Sequence, residues 1–103
     1  MIGRVGADPF GSTLIENLKQ NDVDVRRVIR DHTTPTGTAV IVVDSHGQNS
    51  IVISSGANGK VSSSDIRPDS FVDSSLLLLQ FEIPIETVIH SAKLAGKKAA
   101  HPA

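Results

Sequence analysis

The middle of the chain has two short apolar arms on either side of a polar turn, and this pattern is its clearest structural signal. In the first arm, residues 37–43, side chains should point alternately to opposite faces, as they do along a β-strand. Both faces carry mainly apolar residues, so both are expected to contact protein. The polar residues 44–47 end in Gly47, and residues 48–54 return. So short a connection predicts an antiparallel β-hairpin.

Two other segments have apolar residues at the spacing of an amphipathic helix. Asp8 is a suitable N-cap for the first helix, and Pro9 fits its first turn. Its apolar stripe consists of Phe10, Leu14, Ile15 and Leu18. The second helix is expected to begin at Pro84 and to end near Gly96, which suits a C-terminal cap. Its inner face is expected to consist of Ile85, Val88, Ile89 and Ala92.

Further apolar segments complete an α/β pattern. Residues 76–79 are consecutive leucines, as expected when a strand, here residues 76–80, is covered on both faces in a parallel sheet. A shorter strand is predicted within residues 23–29, and a short helix near residues 64–67. Together these elements predict an α/β fold over residues 1–103: a partial parallel sheet with helices, plus an antiparallel hairpin.

Composition excludes several classes of function. The formal net charge is −1 and the pI is about 6.4, so neither nucleic acid nor an anionic membrane surface is an expected partner. No apolar run approaches the roughly 20 residues that span a bilayer. The absence of cysteine excludes disulfides, thiolate zinc sites and a cysteine nucleophile. A cytoplasmic location is therefore expected.

Glu82 is the main candidate for binding chemistry. It follows the predicted strand 76–80, and ligands of open α/β sheets bind beyond the carboxyl ends of the strands. A carboxylate at that position can accept hydrogen bonds from the hydroxyl groups of a sugar. The alternative is that Glu82 caps the helix that begins at Pro84, and position alone does not separate the two roles.

Other chemistry-bearing residues do not form a recognisable site. The histidines lack the spacing of metal ligands, among themselves or with carboxylates. They are His32, His46, His90 and His101. Residues 62–64 are serines, but no His–Asp pair is placed to activate one as a nucleophile. The glycines of residues 3–6 are too sparse for a dinucleotide or phosphate loop. The sequence therefore predicts no metal site and no catalytic residue in this chain.

Several short motifs resemble those of one enzyme family. Residues 2–11, IGRVGADPFG, resemble the IGxVGxDxFG segment of the ribokinase-like (PfkB-type) carbohydrate kinases. Residues 79–84, LQFEIP, resemble the LQxExP segment of the same family. Three further segments match its ribokinase branch in order and spacing: Thr36-Gly37-Thr38-Ala39, Gly47-Gln48-Asn49 and Gly56-Ala57-Asn58. The resemblance extends from Ile2 to about Gly96.

The resemblance implies an ATP-dependent sugar kinase with an α/β sheet domain and a small β-lid. Enzymes of this family transfer the γ-phosphate of ATP, with Mg²⁺, to a sugar hydroxyl, and the ribokinase branch uses the 5-hydroxyl of ribose. Fructose, a keto-deoxy sugar acid or a nucleoside is the substrate of related kinases, and these stay alternatives.

The resemblance also implies roles for individual residues. Residues 36–54 would be the hairpin of the lid, through which subunits pair as a homodimer or a larger assembly. Glu82 would hydrogen-bond the sugar. Ala39 and Ile51 would close over the sugar, in part from the partner subunit. One face of the hairpin would then meet the sugar site and the other a neighbouring lid.

Two parts of the family pattern are missing from the sequence. The family places a sugar-binding Asp and a Gly-Gly-Lys-Gly-Ala-Asn type segment before the first motif. It places the ATP site and a Gly-Ala-Gly-Asp segment with the catalytic base far beyond the last motif. Residues 97–103 are also irregular, with His101 where the family usually has Asn. We therefore expect a kinase fragment that is inactive and binds no cofactor alone; the alternative is a non-catalytic product that only self-associates through the lid.

Overall fold

The computed structural model describes the backbone of residues 1–100 and the side chains of residues 1–97. The described chain divides into two compact units, Met1–Asn58 and the residues from Gly59 onwards. The first unit contains β1 (Ile2–Gly6), α1 (Pro9–Gln20), β2 (Arg27–Asp31), β3 (Thr38–Val43) and β4 (Asn49–Ser54). The second contains two short 3₁₀ helices, Ser63–Asp65 and Pro68–Phe71, and α2 (Ile85–Ala100).

β1 and β2 form a parallel two-stranded sheet, and α1 is the crossover between them. Ile2 lies opposite Arg27 at the start of the pair. α1 packs against β1, and Val5 and Ile15 are buried in this unit. The parallel sheet of the predicted α/β fold is confirmed. β1 itself is not predicted, because its two glycines and its arginine interrupt the apolar pattern of a strand.

Capping hydrogen bonds close both ends of α1. Asp8 is the N-cap, as predicted, and its side chain accepts the N–H three residues later at 2.8 Å. At the other end the N–H of Val23 donates to the carbonyl of Leu18 at 3.0 Å, and that of Asp22 to Lys19 at 3.1 Å. These two bonds form a Schellman motif. Asp22 accordingly has a φ of 59°, a conformation that favours glycine.

β3 and β4 form the predicted antiparallel hairpin. The register pairs Thr38 with Ser54 at its base. Asp44 organises the turn, since its Oδ1 accepts hydrogen bonds from two backbone N–H groups of the turn at 2.8 and 2.9 Å. Gly47 has a φ of 79°, the left-handed conformation that the sequence predicts there.

The second unit is built around the middle of α2. Its apolar core consists of Val61, Ile66, Phe71 and Val88. The hydroxyl of Thr87 donates to the carbonyl oxygen of Val61 at 2.7 Å. Nε2 of His90 lies 3.1 Å from the carbonyl oxygen of Ile66. Both contacts fix α2 to the irregular segment that precedes it.

Both helices expose more apolar surface than the sequence pattern predicts. In α1, Ile15 is buried but Phe10 and Leu14 are exposed. In α2, Ile85 and Ile89 are also exposed. The buried positions of α2 are Thr87, Val88 and Ser91. The predicted inner face of α2 is therefore wrong except at Val88, because its packing partners are short 3₁₀ segments that cover a narrow, partly polar stripe.

The prediction of a strand at residues 76–80 is wrong. No strand is assigned to this segment, and Leu76 and Leu78 are 76% and 84% exposed. An extended segment becomes a strand only when a neighbour completes its backbone hydrogen bonds. Each sheet within residues 1–100 has two strands, formed by other segments. The leucine run is thus an exposed apolar segment of the second unit.

The prediction that Gly96 ends the second helix is also wrong, since α2 extends to Ala100. A Cβ atom on Gly96 would meet nothing within 4 Å, so the residue occupies an open helical position. The four residues that follow are two lysines and two alanines, which are good helix formers and outweigh one glycine. The prediction about the irregular end of the chain, including His101, concerns residues 101–103 and lies outside the described residues.

Candidate functional site

Glu82 lies in the bend before α2 and is exposed. The first turn of α2 is closed by hydrogen bonds from the N–H groups of Thr87 and Val88 to the carbonyl of Pro84, at 3.0 and 3.2 Å. Within residues 1–100, Glu82 forms no hydrogen bond to that turn, so the alternative role as a helix cap is not observed. Its carboxylate faces solvent, and its role as a sugar ligand stays a prediction.

Ala39 and Ile51 lie together on one face of the hairpin. Ala39 pairs with Ile53, and Ile41 pairs with Ile51. Residues that pair across two strands, or that lie two apart on one strand, share a face. We call the surface formed by Ala39, Ile41, Ile51 and Ile53 the isoleucine face. Ile41 and Ile51 are 59% and 53% exposed, so the face is open to a ligand or to another chain.

The opposite surface of the hairpin, formed by Val40, Val42 and Val52, is also apolar and exposed. We call it the valine face. The sequence predicts that both faces contact protein, but within residues 1–100 neither is covered. The structure thus brings two of the three predicted site residues together, on the isoleucine face. The third, Glu82, belongs to the second unit.

The carboxylate of Asp8 joins the start of α1 to the base of the hairpin. Its Oδ2 accepts the N–H of Thr36 at 2.9 Å. Its Oδ1 accepts the hydroxyl of Thr36 at 2.6 Å and the N–H of Gly11 at 2.8 Å. These hydrogen bonds lower the pKa of Asp8 because they stabilise the charged form, and the bond from the Thr36 hydroxyl has the largest effect. The sequence pattern predicts only the capping bond, since a partner 28 residues away leaves no local signal.

Close backbone contacts complete the base of the hairpin. The N–H of Ala57 donates to the carbonyl of Pro35 at 2.8 Å, and Ala57 is fully buried. A Cβ atom on Gly37 would lie 2.6 Å from the carbonyl oxygen of Ser55. One on Gly56, which has a φ of 49°, would meet the carbonyl oxygen of Pro35. Two of the motifs that the sequence singles out, TGTA and GAN, therefore contact each other here.

Asp31, the last residue of β2, is a second carboxylate at the carboxyl edge of the parallel sheet. Its Oδ1 accepts the N–H groups of Thr33 and Thr34 at 2.8 and 3.0 Å. Its Oδ2 lies 3.3 Å from Nη1 of Arg4. The N–H of Thr33 contributes most to lowering the pKa of Asp31. Sequence reasoning missed this residue; the signal would be an Asp two positions after the last apolar residue of a predicted strand. Its contacts fix the loop that leads to the hairpin.

The described side chains do not supply a metal site. Residues 1–97 contain no group of three or more His, Asp or Glu residues that could hold a metal ion. In the same part of the chain, no helix is both long and apolar enough to cross a membrane.

Comparison with known proteins places the chain in a family. The model of the pfkB family of carbohydrate kinases matches residues 1–100. Ribokinase from Schizosaccharomyces pombe is 36% identical over 99 residues, which are 94% of this chain and 31% of that protein. Ribokinase from Mus musculus is 40% identical over 99 residues, with the same shares of the two chains.

Solved structures agree with the sequence relatives. Arabidopsis thaliana ribokinase, in a structure complexed with ribose and ATP, matches with a TM-score of 0.81 at 37% identity. The match covers 98% of this chain and 34% of that one. The chain spans about a third of the length of the relatives it matches. The resemblance and the fold class inferred from the motifs are confirmed, and the chain belongs to the pfkB family of carbohydrate kinases.

Proposed function

We propose that this sequence provides the lid hairpin and a sugar-binding carboxylate of an ATP-dependent kinase that phosphorylates the 5-hydroxyl of ribose. The observation that carries this proposal is the isoleucine face: an exposed apolar surface on a hairpin with a fixed base. Such a surface suits a lid that covers a ligand. The similarity to ribokinases along almost the whole chain supports ribose as the sugar.

Each proposed residue has a distinct task in this function. Glu82 accepts hydrogen bonds from sugar hydroxyls, and a charged acceptor makes these bonds stronger than neutral ones. Ala39 and Ile51 cover the sugar and exclude water from the reacting hydroxyl. Water exclusion matters because a water molecule in place of the sugar would hydrolyse ATP.

The remaining chemistry is assigned to parts of the enzyme other than residues 1–97. Phosphoryl transfer needs a nucleotide cradle, a metal ion and a base that accepts the proton of the sugar hydroxyl. The described side chains form no metal cluster, so the residues that hold Mg²⁺ belong to other parts of the proposed enzyme. We also propose that the reaction takes place in the cytoplasm, where ATP is available.

We also propose that the hairpin pairs with the hairpin of a second copy. Both the isoleucine and the valine faces are apolar and exposed, which leaves one face for the sugar and another for a neighbour. A twofold arrangement is the simplest closed solution, because the same surface then serves both subunits.

The decisive experiment is a steady-state kinase assay on a family-length enzyme that contains this sequence, with Glu82→Gln as the variant. We expect kcat/KM for ribose to fall about 10- to 150-fold, the effect of losing a charged hydrogen bond of about 1.5–3 kcal/mol. The KM for ATP should not change. Glu86→Gln, which removes the same charge from an exposed residue four positions later, is the matched control. Equal effects of the two variants on ribose would refute the sugar-binding role of Glu82.

A further inference from the structure

We propose that Asp8 and Thr36 are positioning residues that fix the hairpin on the β1–α1 unit and so determine where the isoleucine face lies. We call this pair the hairpin junction. Its importance for catalysis rests on the proposed function, because the isoleucine face matters only if it covers the sugar. The orientation of the hairpin itself does not depend on that function and can be measured separately.

The carboxylate of Asp8 accepts more hydrogen bonds than a helix cap requires. A cap needs one side-chain oxygen for the free N–H groups of the first turn, and Oδ1 of Asp8 already serves Gly11. Oδ2 accepts instead the backbone N–H of Thr36, and Oδ1 also accepts the Thr36 hydroxyl. Two of the three bonds to the carboxylate therefore come from a residue just before β3. The carboxylate is a link between two elements as well as a cap.

The backbone N–H and the hydroxyl of Thr36 both form hydrogen bonds to neighbouring elements. Its Oγ1 donates to Asp8 and accepts the N–H of Gly6, the last residue of β1, at 2.9 Å. The residue is 6% exposed, so water does not compete for these bonds. A Cβ atom on Gly6 would lie 2.5 Å from the backbone nitrogen of Thr36, which leaves no space for a shift toward β1. Thr36 thus has a single arrangement relative to the end of β1 and the start of α1.

Because Thr36 is close to the start of β3, its fixed position also fixes the base of the hairpin. β3 begins two residues later, at Thr38. The returning strand β4 ends at Ser54, and three residues later the bond from Ala57 to the carbonyl of Pro35 holds that end of the hairpin against the same segment. Both strands are therefore anchored at residues 35–37. Loss of the Thr36 hydroxyl would loosen this anchor without removing any contact within the β3–β4 ladder.

The chain lends itself to a distance measurement because it contains no cysteine. Nitroxide labels on Ser45→Cys, at the tip of the hairpin, and Gln20→Cys, at the end of α1, report the orientation of the hairpin within one unit. The labelled chain is diluted with unlabelled chain, so that distances between copies do not contribute. Pulsed electron–electron double resonance then gives the distribution of the distance between the labels.

Three threonine variants test the junction. Thr36→Val keeps the shape and removes the hydroxyl, and we expect the distance distribution to broaden about twofold. Thr36→Ser restores the hydroxyl and should return the narrow distribution. Thr13→Val is the matched control, because it removes an exposed hydroxyl that bonds only within α1. A Thr36→Val distribution as narrow as that of the unmodified chain would overturn the proposal, as would equal broadening by Thr13→Val.

If Thr36→Val does not fold, a second variant tests the same hydrogen bonds from the side of Asp8. Asp8→Asn retains the size of the side chain but replaces one acceptor oxygen with a donor, and the same broadening is expected. An unchanged distribution for a folded Asp8→Asn chain would contradict the junction. In a family-length enzyme, Thr36→Val should raise the KM for the sugar and leave the KM for ATP unchanged. Broadening without any sugar kinase activity in the unmodified enzyme would retain the junction and reject the proposed function.

Discussion

The hydroxyl of Thr87 lies 2.7 Å from the carbonyl oxygen of Val61, and both residues are almost completely buried. We expect Thr87→Val to lower the free energy of unfolding by about 1–3 kcal/mol, because it leaves a buried carbonyl without a partner. Thr87→Ser should recover most of this loss. Urea unfolding followed by circular dichroism measures both values.

Ser91→Ala is the control for that prediction. The Ser91 hydroxyl donates to the carbonyl of Thr87 within the same helix, and that carbonyl is already the acceptor of an ordinary helical bond. Removing the Ser91 hydroxyl should therefore change the free energy of unfolding by less than about 0.5 kcal/mol. If Ser91→Ala destabilised the chain as much as Thr87→Val, the bond from α2 to Val61 would not be the stabilising feature.

Asp22 offers a stabilising substitution. Its φ of 59° lies in the left-handed region, where glycine has no steric penalty. Asp22→Gly should raise the free energy of unfolding by about 0.5–1 kcal/mol, since relief of strain exceeds the added entropy of the unfolded chain. Gln20→Gly, at the last residue of α1, is the contrast and should destabilise. A destabilised Asp22→Gly chain would show that the Asp22 side chain has a role beyond the Schellman motif.

Acid should unfold the first unit through its aspartates. Asp8, Asp24 and Asp31 all have a lowered pKa in the folded chain, and that of Asp24 falls to about 2, chiefly through its hydrogen bond with Arg26. The unfolded chain then binds more protons below the ordinary value of 3.8, so these groups stabilise the fold above that pH. The contribution of each aspartate is lost as the pH falls through its lowered pKa, which for Asp24 is about 2.

Urea midpoints measured between about pH 5 and pH 2.5 test this dependence. The midpoint should fall across this range, and the difference between the unmodified chain and Asp8→Asn should shrink as Asp8 becomes protonated. Thr36→Val, which removes the largest cause of the lowered pKa of Asp8, should show a weaker pH dependence. A midpoint that stays constant or rises with acid would contradict the carboxylate assignment.

Self-association should depend on the hairpin. Val52→Asp places a charge on the valine face, which the proposed function leaves for the second copy, and burying an unpaired carboxylate is strongly unfavourable. We expect the dissociation constant of the dimer to rise about 100-fold or more, as measured by sedimentation or light scattering. Gln20→Glu adds the same charge to an exposed residue of α1 and should leave the dimer intact. Persistence of the dimer with Val52→Asp would exclude this face as the interface.

The local elements were predictable where a short stretch of sequence determines them. The Asp8 cap, the hairpin and its Gly47 turn depend on residues within a few positions of one another. Residues 76–80 show the limit of this reasoning. A leucine run indicates burial, but strand formation needs a partner elsewhere in the chain. Within residues 1–100 that partner is not present as a third strand in either sheet.

The candidate site was predictable only in part, for a similar reason. Ala39 and Ile51 come together because antiparallel pairing follows from the short turn. The bonds between Asp8 and Thr36 join residues 28 positions apart, and neither residue type is unusual at its position. Three glycines mark these long-range contacts in the sequence. At Gly6, Gly37 and Gly56, two backbone segments approach too closely for a side chain. Contacts between backbone segments that are distant in the sequence produce no periodic pattern of residues, so they cannot be predicted from the sequence.

The exposure of the hairpin on both faces has a consequence for the behaviour of the chain during synthesis. β3 reads TAVIVV, six residues without charge or proline and with high β-propensity. Within residues 1–100 each strand of the hairpin pairs along one edge only, so the other edge can template stacking into cross-β aggregates. A newly synthesised chain exposes this segment until the sugar and the second copy that we propose cover its two faces. Resistance to aggregation would then depend on how quickly both faces are covered.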